Sequence, residues 1–98
     1  MTTKNYIIST INSHKADLNQ YGVSMVGLFG SYAREEQTEK SDIDLLIEFI
    51  PEQENFDNYM AICDYLAILF KDEKVEIVTK NGLSPYIGPK ILKEVLYV

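Results

Sequence analysis

A chain of 98 residues with 46% apolar side chains has material for one hydrophobic core and no room for a second domain, so residues 1–98 are expected to form a single domain. Fifteen acidic against nine basic residues give a formal charge of -6, which disfavours broad contact with nucleic-acid phosphates. The sequence shows neither a basic-apolar leader nor an apolar run of about 18 residues, and its single Cys63 has no disulfide partner, so the expectation is a cytoplasmic protein without membrane attachment.

Ile7, Ile11, His14, Leu18 and Tyr21 recur on one helical face, with Gly22 placed to end that helix. Met25–Phe29 reads as a short buried strand running into Gly30-Ser31, where a glycine turn lets backbone N–H groups approach an anion and a helix start favours its charge. That short helix is expected to begin at Ala33 and to contain Arg34. Ser31 then suits either a phosphate contact or a helix cap, two compatible roles. Arg34 suits either a phosphate oxygen or a surface ion pair among Glu35 to Glu39.

Ser41–Phe49 reads as a second, longer strand, with Ser41 shaping the turn before it. Alternation puts Asp42 and Asp44 on one face and Ile43, Leu45 and Ile47 on the other. Two such charges ~4 Å apart repel by ~4 kcal/mol at an effective dielectric of ~20. The pair must therefore keep a proton or bind a cation. Oxygen donors favour magnesium or manganese, ions that take one or two carboxylates and leave the other positions to water and substrate phosphates.

Pro51 to Asn55 is a polar loop, after which Phe56, Tyr59, Met60, Cys63, Leu66, Ala67 and Phe70 recur at helical spacing, with Phe56, Tyr59 and Phe70 expected in the core. Cys63 is expected as an inert small hydrophobe and His14 as a packing residue. Lys74–Thr79 alternates as a third strand with Glu76 at its centre, and Asn81-Gly82 turns the chain. In the tail, Ser84-Pro85 is a possible cap and Gly88-Pro89 an interruption, leaving one helix or a bent pair of short turns. The whole is a small α/β (α+β) fold: a mixed sheet of about three strands with helices packed on it.

Gly30-Ser31-x-x-Arg34 followed by Ser41-Asp42-Ile43-Asp44-Leu45-Leu46-Ile47 resembles the signature of the polymerase-beta-like nucleotidyltransferase superfamily. More narrowly, the chain resembles the minimal nucleotidyltransferases that serve as antitoxins to HEPN-domain ribonuclease toxins. Leu83-Ser84-Pro85 and the ending Ile91–Val98 resemble that group too, so the likeness covers nearly the whole chain. It implies Asp42, Asp44 and Glu76 as catalytic carboxylates holding two magnesium ions, and Gly30, Ser31 and Arg34 as the binding residues for ATP. Glu76 stands where the family more often has aspartate, which moves its carboxylate outward by one methylene. The implied partner is a HEPN toxin in a hetero-oligomer, with AMP transferred to a toxin tyrosine. Two rivals remain: an antitoxin that inhibits by binding alone, with Glu76 a plain exposed strand residue, and a catalytic subunit acting on a small molecule or tRNA beside a second chain.

Overall fold

The computed structural model describes residues 2–98. Its first helical segment is two helices, α1 (Lys4–Ser13) and α2 (Lys15–Gln20), because His14 leaves helical geometry at φ -118, ψ 14. The cause is local. Thr10, Ser13 and His14 turn their side chains back onto the carbonyls of Tyr6, Ser9 and Thr10 at 2.7, 3.0 and 2.8 Å, and such back-bonding competes with helix continuation. The break preserves the apolar face, since Ile7, Ile11 and Leu18 are all buried, while His14 is half-buried with its ring edge-on to Tyr65. Gly22, at φ 85, ends α2 as its left-handed terminus.

The sheet has four strands, β1 (Val23–Phe29), β2 (Ile43–Phe49), β3 (Val75–Thr79) and β4 (Leu96–Tyr97), in the order β3-β2-β1-β4. β1 lies antiparallel to both β2 and β4, while β2 and β3 are parallel. The fourth strand is an addition to the expected three. At two residues it is too short to show alternation. Between β1 and β2 stands a single helical turn, α3 (Gly30–Ala33), which begins three residues before the expected Ala33.

A parallel pair needs a long crossover, supplied here by α4 (Phe56–Leu69), whose first turn is capped by Asn55 accepting the Asn58 N–H at 2.9 Å. Ile62 and Leu66 of α4, with Phe70 just after it, bury against Ile43, Leu45, Ile47, Val26 and Leu28, joined by Ile7, Ile11 and Leu18. Each such side chain withdrawn from water contributes ~1.5–3 kcal/mol. Phe56, expected in the core, is instead 75% exposed, and Met60 and Ala67 also face out. Two apolar sets run along α4 at helical spacing, and the sheet covers the one centred on Ile62 and Leu66. Cys63 lies between them, half-buried.

The opposite sheet face carries a smaller cluster, Phe29, Leu46 and Ile91, with Val78, Leu83 and Val95 against it. Ile91 belongs to α5 (Gly88–Glu94), in which Pro89 occupies the first turn and opens the helix rather than interrupting it. Asn81 and Gly82 lie in a short 3-10 turn, Lys80–Gly82, closed by Thr79 Oγ1 accepting the Gly82 N–H at 3.2 Å.

Candidate active site

Strand register brings the acidic residues together. Phe29, the last residue of β1, pairs with Asp44 of β2, and Asp44 pairs in turn with Glu76 of β3. Asp44, Leu46 and Glu76 therefore share the face on which α5 packs, and Asp42, just ahead of β2, continues it. β2 starts two residues later than expected because the Ile43 N–H already donates to the Lys74 carbonyl at 2.8 Å. Asp42 thus sits on the loop edge, its side chain 31% exposed, and Glu76 is more open at 54%.

Directly after Phe29 the chain turns at Gly30 with φ 76, and a side chain there would be driven into Oδ2 of Asp44. Only a residue without Cβ lets the turn lie against this carboxylate. Ser31 follows inside α3 and is no cap, because the N-cap position is Phe29 and no side chain caps the helix. As first-turn groups, the N–H donors of Ser31 and Tyr32 have no intrahelical acceptor. Arg34 sits at the C-cap of α3, not one turn inside a helix. Its Nε donates to Glu36 Oε1 at 2.7 Å and its Nη1 to Glu94 Oε2 at 2.8 Å, so one ion pair lies in the acidic run after it and the other is distant in sequence.

Charge is unevenly balanced here. Lys74 places its Nζ 3.9 Å from Asp42 Oδ2 and 4.0 Å from Glu76 Oε1. Asp44 has no ion pair among the described residues. Burial, then the charges of Glu76 and Asp42 and a hydrogen bond shared with Glu76, push its carboxyl from 3.8 up to about 6, with Arg34 opposing weakly. Among the described residues no three His, Cys, Asp or Glu side chains converge into a ready-made metal cage. Magnesium does not require one, since it binds through one or two carboxylates and completes its shell with water and phosphates. An all-oxygen set around an under-neutralised aspartate fits such an ion.

Two groups at this site escaped the sequence reading. Alternation marks Lys74 only as the start of a strand, although its place two residues before Glu76 puts it on the same side of the chain. Glu94, at the end of α5, accepts the Gly30 N–H at 3.1 Å as well as the Arg34 bond. No local pattern announces a contact between residues 64 positions apart.

Comparison with known proteins places these features in context. The family described as a nucleotidyltransferase domain matches residues 11–98. A Methanocaldococcus jannaschii protein named as a protein adenylyltransferase is 41% identical over 100 residues that span all of both chains. The protein adenylyltransferase MntA of Thermococcus cleftensis is 36% identical over 99 residues, covering 100% of this chain and 98% of its own. A solved structure described as a minimal nucleotidyltransferase superposes with a TM-score of 0.82 at 27% identity, over 97% of this chain and 95% of that one. A toxin-antitoxin crystallised with AMP-PNP shares the fold, with a TM-score of 0.66 at 22% identity over 98% of this chain and 72% of that one.

Proposed function

Since the chain belongs to the nucleotidyltransferase domain family, we propose that it is a cytoplasmic, single-domain, magnesium-dependent protein adenylyltransferase, an antitoxin that moves AMP from ATP onto a tyrosine of a partner HEPN ribonuclease toxin. The observation that carries this reading is the fit of Gly30 against Asp44, with Glu76 in register beside it: a phosphate-accepting turn and a set of carboxylates meet at one point. The relatives named as protein adenylyltransferases support the acceptor class, and the toxin-antitoxin with AMP-PNP supports partner and nucleotide.

In this reading the free N–H groups of Ser31 and Tyr32, the Ser31 hydroxyl and Arg34 hold the triphosphate. Asp42 and Asp44, with Glu76 in support, hold magnesium, which when bound neutralises phosphate charge and lowers the pKa of the acceptor hydroxyl. The tyrosine oxygen forms a bond to the α-phosphorus as the bond from that phosphorus to the β-phosphate oxygen breaks, and pyrophosphate leaves. The hydroxyl proton passes to Glu76, the most exposed of the three carboxylates, and from there to water. Positioning and charge complementarity carry the rate.

The outward placement of Glu76, its side chain 54% exposed, favours the second reading, inhibition by binding alone. Incubation with magnesium, labelled ATP and the toxin encoded beside this protein separates the two. Label on a toxin tyrosine is the expected result, and a fully inhibited, unlabelled toxin overturns the catalytic reading.

A further inference from the structure

Glu94 lies just beyond the carboxylate face and joins two parts of the α3 turn. Its Oε1 accepts the Gly30 N–H at 3.1 Å, and its Oε2 accepts Arg34 Nη1 at 2.8 Å. Delivery of this carboxylate follows from the fold. Ile91 anchors α5 on Phe29 and Leu46, and Glu94, three residues on, lies on the same helical face and is carried to the turn that follows Phe29.

A carboxylate that bridges a backbone amide and a guanidinium restrains both in direction as well as distance. Gly30 is thereby held in the conformation that meets Asp44. Arg34, gripped through Nε by Glu36 and through Nη1 by Glu94, keeps Nη2 outside these two bonds. Burial draws the Glu94 carboxyl upward, but the hydrogen bonds from Arg34 and Gly30 and the charges of Arg34 and Lys90 outweigh it and hold the group below the ordinary glutamate value, so it is an anion throughout the neutral range.

We infer that Glu94 is a positioning residue for the nucleotide site, fixing the Gly30 turn and aiming the Arg34 guanidinium at the triphosphate. This rests on the nucleotidyltransferase reading above and adds to it a role for the C-terminal helix. α5 becomes a wall of the site whose last residue sets the geometry of the phosphate donors, and Glu94 itself touches no substrate.

Calorimetric titration of the full-length chain with ATP and magnesium, and separately with AMP, tests it in wild type, Glu94→Gln, Glu94→Ala, Arg34→Ala and the Glu94→Ala/Arg34→Ala double variant. Glu94→Ala is expected to weaken ATP binding about tenfold or more with little change for AMP. Glu94→Gln, which keeps one acceptor oxygen, should recover part of that loss. In the Arg34→Ala background, removing Glu94 should cost markedly less than alone, because part of its effect passes through the arginine. Equal ATP affinity in wild type and Glu94→Ala, with only a lower melting temperature, overturns the inference in favour of a purely structural tie. Tighter ATP binding by Glu94→Ala overturns it too, by showing that the carboxylate competes with phosphate. If Glu94→Ala does not fold, the same comparisons are read from Glu94→Gln. A wild type that binds no ATP with magnesium overturns the nucleotidyltransferase reading and this inference with it.

Discussion

The α-carbon of Gly30 lies against the carboxylate of Asp44, at a backbone angle of φ 76 that leaves no space for a side chain. Gly30→Ala adds a left-handed strain of roughly 1–2 kcal/mol and displaces the aspartate. Transfer is expected to fall ~100-fold, the scale of a ~1 Å misplacement, and the melting temperature by ~5 °C or more. Gly22→Ala is the control, since Gly22 also has positive φ but would meet the Gln53 side chain. It should lose stability while its folded fraction keeps full activity. Equal activity losses in the two variants would show that strain, not the contact with Asp44, is at issue.

Asp44 makes stability depend on pH in a direction opposite to most carboxylates. Burial first, and then Glu76 and Asp42, raise its carboxyl from 3.8 to about 6. The folded chain therefore holds this proton more tightly than the unfolded one. The favourable contribution is complete below 3.8 and is lost as pH rises through about 6. At 1.36 kcal/mol per unit the shift amounts to about 3 kcal/mol, which solvent screening at this partly open position reduces to about 1–2. In chelator at pH 7.5, Asp44→Asn is expected to melt higher than wild type, with the gap closing at pH 4. Magnesium should narrow the gap at pH 7.5. Thermal melts across pH check this, and an Asn variant that melts lower at pH 7.5 would make Asp44 a structural hydrogen-bonding group.

Alternation alone assigned Asp42 and Asp44 to one face, and the third strand was legible because Glu76 stands among β-branched residues. The crossover helix between β2 and β3 accounts for their parallel direction, but the register that sets Glu76 beside Asp44 is a tertiary feature that neither strand's own pattern contains. The break at His14 arose from side chains bonding to their own backbone, a competition that periodicity does not register. Two apolar stripes run along α4, so helical spacing alone points Phe56 inward, and tertiary packing, which leaves it exposed, chooses between them. Glu94 and β4 depend on the tail folding back beside β1, which no local window of sequence contains.

Just after the Gly30 turn, Glu35 sits at φ 57, a left-handed position that glycine ordinarily takes. It is the residue past the C-cap of a Schellman ending, in which the Glu36 N–H donates to the Ser31 carbonyl at 2.8 Å and the Glu35 N–H to that of Tyr32 at 3.2 Å. Its ion pair with Lys4, at a long 3.8 Å and with the glutamate side chain 66% exposed, adds little. Glu35→Gly should therefore stabilise the chain by ~0.5–1 kcal/mol, raising the melting temperature by ~4 °C, with nucleotide affinity unchanged. A lower melting temperature would assign more weight to the Lys4 pair than its exposure suggests.

Lys74 is the internal cation of the acidic face, 3.9 Å from Asp42 and 4.0 Å from Glu76, with its own side chain 72% exposed. An exposed pair of this kind contributes ~0–1 kcal/mol to stability, so Lys74→Ala should barely move the melting temperature. Its ammonium repels an incoming divalent ion, however. Manganese affinity, followed by water-proton relaxation, is expected to tighten about two- to fivefold in Lys74→Ala at low salt and to approach wild type near ~1 M salt, where the Debye length of about 3 Å falls below these distances. Weaker manganese binding would mean that Lys74 instead orders the carboxylates for the metal.

Glu76 decides between transfer and simple masking. It is registered beside Asp44, yet its side chain is 54% exposed and one methylene longer than aspartate. If it supports magnesium and accepts the tyrosine proton, Glu76→Gln should lower transfer by ~100-fold or more, the scale of general-base removal, while ATP affinity falls only modestly. Glu76→Asp keeps the charge and should retain measurable transfer, because water can fill a shortened metal contact. Co-expression with the toxin, followed by intact-mass measurement, reads both. Wild type should add mass in multiples of AMP, Glu76→Asp should add less, and Glu76→Gln none. If wild type and both variants silence the toxin equally with no mass added, the carboxylate face serves as a docking surface and the chemistry assigned to it is wrong.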